Sequence, residues 1–323
     1  MPFSVIVPCF NVETVVPETI ASLKLQNVED AEYILIDDAS TDGTLDIVTR
    51  LTAGDSRFRV LQNEKNIGLG ATRNRGFAES RGDYIAYLDS DDYVGEGYYS
   101  ALIQQAKEFE APFVRSGHIE FNGPLRKLGK PPESVCNIPI SALISGFVPV
   151  DKTAMVDYPF AWAGVFDAKF LRDRKIGYAD HLHTAEDRLT VIRMHAEADF
   201  YVCSSVNNIY YRREPRPTLR SVGDMRQLDI FGAIRDCVRY AHDARLPDNC
   251  VRKIYIMAVS LVDFHLRNRQ RLERAVNRRL DTLTGEIWTD FDPGLLADVV
   301  ERNVRFLRHL RLRRYLPKSA RKF

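Results

Sequence analysis

No apolar run in the 323 residues reaches the ~18 that a membrane-crossing helix needs. The sequence is therefore expected to be soluble or to sit at a membrane surface. Cysteine is scarce: Cys9, Cys136, Cys203, Cys237 and Cys250 are far apart, and no CxxC pair occurs. That argues against structural zinc and a disulfide framework, and for a reduced, cytoplasmic setting. Cys9, inside the first apolar run, reads as a small buried residue. The start of the chain shows no basic leader, and Pro8 and Asn11 interrupt its apolar run, so no secretory signal is expected. Charge of one sign is also missing. The formal net charge is +1, so the whole molecule is not steered toward nucleic acid. No G-x-G-x-x-G follows the first strand; Gly68-Leu69-Gly70 comes too late and leads to Arg73, which excludes the ordinary dinucleotide fingerprint. There is no internal repeat and no low-complexity segment.

A composition that is 45% hydrophobic can bury a substantial core. Strands are expected at Phe3–Val7, Tyr33–Ile36, Arg59–Leu61 and Tyr84–Leu88. Helices are expected near Val12–Leu23, with Pro17 in the first turn, and at Thr44–Leu51, Gly68–Ser80 and Tyr98–Glu110. Alternation of this kind predicts an α/β fold, a mostly parallel sheet flanked by helices. The stretch from Ala111 to Tyr158 is weakly periodic and reads as strands and loops on a substrate face. Short helices should follow at Ala168–Asp173 and Glu186–Ala198, then an extended Val206–Tyr211. From Met225 the pattern turns helical. Ile254, Met257, Ala258, Leu261, Val262 and His265 form a stripe expected in the core. The division expected is a catalytic domain over 1–220, with a nucleotide-sugar half (1–110) and an acceptor-side half (111–220), then a helical region over 221–323.

Two acidic clusters end two strands: Asp37-Asp38 and Asp89-Ser90-Asp91-Asp92. Strand ends are where such a sheet delivers side chains to a ligand. Asp37 or Asp38 could accept from a base N–H, with Phe10 beside the ring, or the pair could cap the next helix. Asp89 and Asp91 suit a hard cation, Mn2+ or Mg2+, gripping a diphosphate. Arg73, just inside a helix beginning near Gly70, suits a phosphate or a carboxylate. Glu186-Asp187 has two readings: a capping box with Thr184, or a general base. His181 or His183 could add a metal ligand. Arg212 and Arg213 lead into Glu214-Pro215-Arg216-Pro217, a basic loop able to fold over a diphosphate.

These segments resemble family 2 glycosyltransferases. The residues that carry the resemblance are Val5-Ile6-Val7-Pro8-Cys9-Phe10-Asn11, Ile36-Asp37-Asp38-Ala39-Ser40-Thr41-Asp42-Gly43-Thr44, Asn66 to Asn74 and Gly82 to Asp92, with Trp162 and Ala185-Glu186-Asp187 extending it to about residue 215. The resemblance implies a GT-A fold with a carboxy-terminal helical extension, a UDP-sugar donor and direct displacement that inverts the anomeric centre. It implies that Pro8 and Phe10 line the base site, with Asn11 and Ser90 in the same matching segments. Asp37 would meet the uracil edge, Arg73 would lie beside the nucleotide, Asp89 would approach the ribose or sugar, Asp91 would hold the metal, and Asp187, with Glu186 beside it, would be the base. The implied acceptor is a saccharide or lipid-linked glycan of a surface polysaccharide such as capsule or lipopolysaccharide. A non-catalytic nucleotide-sugar or glycan-binding module is the competing expectation, opposed by the intact acidic sets. From Arg302 onward the chain has no acidic residue, so Arg302, Arg305, Arg308, Arg311, Arg313, Arg314, Lys318, Arg321 and Lys322 could meet an anionic membrane surface, on the cytoplasmic face, or simply form a solvated helix face. Nucleic acid is not an expected partner; homo-oligomerisation is left open.

Overall fold

The computed structural model describes residues 2–131, 133–145, 147, 162–213, 223–303 and 311–321. Its strands are β1 (Phe3–Cys9), β2 (Ala31–Asp37), β3 (Phe58–Gln62), β4 (Tyr84–Tyr87), β5 (Tyr93–Val94) and β6 (Phe113–Arg115). They continue as β7 (His118–Asn122), β8 (Leu125–Gly129), β9 (Pro139–Ile140), β10 (Gly164–Asp167), β11 (Tyr201–Cys203) and β12 (Ile209–Arg212). The helices are α1 (Val16–Lys24), α2 (Thr44–Thr52), α3 (Leu69–Glu79), α4 (Tyr98–Glu108), α5 (Ala142–Ser145) and α6 (Ala168–Asp173). Five more follow: α7 (Arg188–Glu197), α8 (Asp229–Asp243), α9 (Asp248–Arg267), α10 (Arg274–Glu286) and α11 (Pro293–Asn303).

The main sheet has eight strands in the order β3-β2-β1-β4-β10-β6-β11-β9. β3, β2, β1 and β4 run parallel; β10 is antiparallel to both its neighbours, and β9 to β11. A smaller sheet, β5-β12-β7-β8, stands beside it. The sequence reading found the parallel half and the helices between its strands. It missed β5, two residues long, and the reversed β10, since neither is long enough to show a period.

Alternation along β1 assigns the two faces. Phe3, Val5 and Val7 join a core with α1 and α4, whereas Ile6 points to the opposite core. That second core also holds Ile34, Ile36 and Phe166, and it continues without a break into Phe231, Ile254, Val262 and Leu280. The carboxy-terminal helices thus cover one face of the sheet. They also engage much of the basic tail. Arg311 Nε lies 2.7 Å from the buried Asp263, Arg314 lies 3.1 Å from Asp281, Arg302 lies 2.5 Å from Asp298, and Arg321 donates to the Leu316 carbonyl at 2.6 Å. Arg305, Arg308 and Lys322 lie outside the described residues, as does the proposed basic loop at 214–217. No helix among the described residues is long and apolar enough to cross a membrane.

α3 lies close on β1 because Gly76 faces the sheet. A Cβ there would meet Ile6 Cγ2 at 2.3 Å and Ile36 Cδ1 at 2.8 Å. Gly76→Val should therefore force the helix off its strands and destabilise the fold by about 1–3 kcal/mol, the usual cost of overpacking. Urea unfolding measures this; an unchanged midpoint would mean that α3 is not held against β1 at this position.

Candidate active site

A cleft of about 410 Å3 lies at the carboxyl ends of β1, β2 and β4. Pro8 and Phe10 come from the end of β1, Asp38 from the end of β2, Gly68 from the start of α3, and Asp89, Ser90 and Asp91 from the end of β4. Phe10 is 46% exposed, an aromatic ring left on the cleft rather than packed in the core. Cys9 also reaches the cleft, but burial pushes its thiol up to about 12, so it is no nucleophile.

The two aspartates ending β2 divide their work. Asp38 is occupied by the chain itself. One oxygen accepts from Asn63 Nδ2 at 2.6 Å and from the Ile67 N–H at 2.9 Å, and the other accepts from the Gly68 N–H at 3.0 Å. It holds the loop before α3, whose Gly68 adopts a φ of 88° that other residues rarely take. Asp37 accepts from the Ser40 N–H at 3.2 Å, and its buried Oδ1 has no hydrogen-bond partner among the described residues. Neither caps α2, where Gly43 occupies the cap position. Asn11, at φ 51°, ties the β1 and β2 loops together: its Oδ1 accepts from the Thr41 N–H at 2.8 Å, and its N–H donates to Ser40 at 3.1 Å.

Arg73, 3% exposed, joins the two acidic regions. It donates to Asp89 Oδ1 at 2.6 Å and to Glu186 Oε1 at 3.0 Å, and lies 5.0 Å from the centre of the Tyr178 ring. Burial opposes its charge, but Asp89, Tyr178 and Glu186 outweigh that and hold the guanidinium firmly protonated. Asn74 fixes the same segment, donating to the Tyr178 carbonyl at 2.9 Å and accepting from its N–H at 2.8 Å. Gly70 makes the approach possible, since a Cβ there would sit 2.8 Å from the Ala179 carbonyl oxygen and 3.2 Å from Glu186 Cγ.

The expected capping box does not form. α7 begins at Arg188, Asp187 occupies the cap position without a side-chain cap bond, and Thr184 donates instead to the Arg226 carbonyl at 2.9 Å. Ala185 is held at φ 61°, an uncommon conformation for a residue with a Cβ. This turn carries Glu186 and Asp187 in place of a regular first helical turn. Desolvation, then the charge on Asp187, raises Glu186 to about 7. Desolvation also raises Asp187, against the pull of Arg188 and Arg73. The two carboxyls titrate as a pair.

The Asp89–Asp92 turn is anchored from behind. The Thr19 hydroxyl meets the carbonyls of Ser90 at 2.9 Å and Asp92 at 2.7 Å, and the Arg212 N–H donates to Asp92 Oδ1 at 2.8 Å. Asp92 is fully buried, and desolvation raises its carboxyl well above the ordinary range. Arg212 and Arg213, the arginines expected over a diphosphate, hold partners within the chain. Arg212 Nε donates to the Asp91 carbonyl at 2.9 Å and its guanidinium pairs with Glu18; Arg213 lies 3.5 Å from Glu120 and over the Tyr211 ring. His181 meets Asp236 at 3.1 Å. His183 lines the cleft, together with Arg226, which the sequence reading did not single out. Among the described residues no three His, Cys, Asp or Glu side chains converge as a closed metal site. No sequence signal marked Arg226 or Tyr178, because tertiary contacts alone bring them to the site.

Arg73→Met would leave Glu186 and Asp89 without their shared cation. Removing one member of a buried ion set costs roughly 3–5 kcal/mol, so the variant should show a clearly lowered urea midpoint. An unchanged midpoint would show that the two carboxyls do not depend on Arg73.

Residues 4–145 match the family model described as glycosyl transferase family 2. The chain is 27% identical over 264 residues to the poly(ribitol-phosphate) beta-glucosyltransferase of Bacillus spizizenii, covering 81% of this chain and 40% of that protein. It is 34% identical over 125 residues to the GalNAc(5)-diNAcBac-PP-undecaprenol beta-1,3-glucosyltransferase of Campylobacter jejuni, covering 38% of this chain and 40% of that one. The chain thus spans about two fifths of the length of these curated relatives. Its fold is similar to that of S. aureus TarS 1-349 in complex with UDP-GlcNAc, with a TM-score of 0.75 at 20% identity over 99% of this chain and 90% of that one. The architecture is therefore GT-A with carboxy-terminal helices, and residues 4–145 carry the match to the glycosyl transferase family 2 model.

Proposed function

We propose that this chain transfers a sugar from a UDP-sugar to a saccharide or glycolipid acceptor in polysaccharide synthesis, with inversion at the anomeric carbon. The observation that carries the proposal is the buried Arg73 bridge, which couples the Asp89 turn of the cleft to the Glu186–Asp187 turn. The TarS neighbour, crystallised with UDP-GlcNAc, and relatives that glycosylate poly(ribitol-phosphate) and an undecaprenol-linked glycan support the donor and acceptor classes.

In this reading Phe10 and Pro8 receive the base, and the partnerless Asp37 oxygen takes a ring N–H. Asp187 takes the proton of the acceptor hydroxyl as that oxygen bonds to C1 from the side opposite the nucleotide. The bond from C1 to the diphosphate oxygen breaks, and the nucleoside diphosphate leaves with the electron pair. Asp187 is suited to this by its freedom from capping. Arg73 keeps Glu186 fixed beside it.

The donor set fits a hard cation of the Mg2+ or Mn2+ kind. Asp91 and Asp89 line the cleft without forming a closed cage, and such ions keep substrate phosphates and waters among their ligands. When bound, the ion would stabilise the charge on the departing diphosphate. Attachment to an anionic membrane surface would draw on the tail. Arg302, Arg311 and Arg314 serve ion pairs within the helices, while Arg302, Arg313, Arg314, Lys318 and Arg321 are the exposed cations of the tail among the described residues.

The raised carboxyl pair sets the pH dependence. Protonation removes the base, so kcat/KM should fall as pH drops, with the acid limb displaced upward from the ordinary carboxylate range because burial raises Asp187. Stability moves the same pair in the opposite sense. The folded Glu186 holds its proton more tightly than the unfolded one, so the fold loses stability as pH climbs from 4.5 to about 7. Glu186→Gln should shift the kinetic limb to lower pH, because Asp187 then ionises without a like charge beside it. Asp187→Asn should retain UDP binding and lose at least a hundredfold in transfer, the lower range for removing a general base. Near-normal turnover in Asp187→Asn would refute the base assignment.

A further inference from the structure

The hairpin of β7 and β8 lies outside the cleft and has a surface chemistry of its own. Every residue from Asn122 to Leu128 is exposed. Gly123 and Pro124 make the turn, and Leu125 follows at the tip, 71% exposed. Leu128 is 48% exposed. Arg126, Lys127 and Lys130 are interleaved with the two leucines, and no acidic residue occurs from Asn122 to Lys130. Strand pairing assigns the side chains: Asn122 lies opposite Leu125, Phe121 opposite Arg126, Glu120 opposite Lys127 and Ile119 opposite Leu128. Alternation puts Leu125 and Lys127 on one side of the sheet, and Arg126 and Leu128 on the other. The tip is thus apolar, with one cation on each side of it.

Arg126 is held at the tip by neutral groups. Its guanidinium donates to the carbonyls of Gly123 at 2.5 Å and Leu125 at 3.0 Å and lies 5.2 Å from the centre of the Phe121 ring. Its charge is therefore left for an outside partner, unlike that of Lys130, which pairs with Glu133 at 2.6 Å. Glu120, opposite Lys127, lies 3.5 Å from Arg213. β8 is the outermost strand of its sheet. A lysine on an outer strand commonly guards against edge pairing, and that accounts for Lys127. It does not account for two leucines left in water on the same short strand. Pairing of β8 with its own copy, centred on Arg126 and Lys127, would set like charges against each other. An apolar tip flanked by cations instead matches an anionic bilayer, whose headgroup boundary accepts leucine while its phosphates meet the cations.

We propose that the β7–β8 hairpin docks this chain on an anionic lipid surface, with Leu125 entering the headgroup layer and Arg126 and Lys127 meeting its phosphates. The contact is separate from the basic tail, and it goes beyond the transferase reading, because lipid binding needs neither donor nor acceptor. It also lies near the acidic turn. Arg212, whose Nε donates to the Asp91 carbonyl at 2.9 Å, lies 4.7 Å from the centre of the same Phe121 ring that Arg126 covers.

The test is flotation of the full chain at low salt with two kinds of vesicle, phosphatidylcholine alone and phosphatidylcholine mixed with phosphatidylglycerol. The wild type should float with the mixed vesicles and not with phosphatidylcholine alone. One cation near such a surface is worth about fivefold in binding, so Lys127→Glu should lower the partition coefficient by at least that factor. Leu125→Ser should lower it more than twofold. Both side chains are exposed, so the thermal midpoint should stay at the wild-type value in each variant. The tail is unchanged in both, so a loss reports the hairpin alone. A wild type that does not float with mixed vesicles, or a partition coefficient within twofold of wild type in either variant, overturns the proposal. Absence of flotation together with a concentration-dependent dimer that Lys127→Glu abolishes would give the hairpin to a second copy of the chain instead.

Discussion

Arg73 is the constraint on which the site depends. A guanidinium that is 3% exposed requires anionic partners, and it finds two that are distant in sequence, Asp89 and Glu186. Two further features allow the approach. Gly70 lets α3 come against the 186 turn, and Asn74 holds Tyr178 beneath the arginine. The ion set consequently fixes the distance between the turn after β4 and the turn before α7. The proposed displacement would need such fixation, because donor and base must hold one geometry while the acceptor oxygen attacks.

The parallel half of the sheet was legible in the sequence because β1, β2 and β4 are buried on both faces and each connection carries its own helix. Acidic pairs at strand ends were legible for the same reason: the fold class says where strand ends point. Their individual roles were not. Asp37 and Asp38 are adjacent and chemically identical, yet one is saturated by loop N–H groups and the other keeps a partnerless oxygen. Only the path of the loop at 66–68 separates them. Thr184 likewise satisfied the sequence pattern of a capping box, but the left-handed Ala185 shifts the helix start to Arg188 and directs the hydroxyl elsewhere.

Arg212 carries a structural task that its place in the sequence does not reveal. A pair of arginines after an extended segment reads naturally as a phosphate clamp. In the fold Arg212 braces the acidic turn through its main chain and its guanidinium, so the turn's geometry depends on a strand of the second sheet. This bracing carries weight because Asp89, Asp91 and Asp92 crowd like charges together, an arrangement that needs outside support to persist.

The stripe on α9 joins these observations. Spacing alone assigned all six of its residues to the core, and Ile254, Met257, Ala258 and Val262 are indeed buried there. Leu261 and His265 share that spacing but end at a cavity, because the turn carrying Glu186 and Asp187 stands off from the helix rather than packing on it. A helical period reports which residues face inward, and it cannot report whether the opposite surface closes. Asp229 accepts from the N–H groups of His183 and Thr184 and so ties the segment before the turn to α8. The carboxy-terminal helices therefore do more than cover one face of the sheet, since their own first residue holds the segment that leads into the Glu186–Asp187 turn.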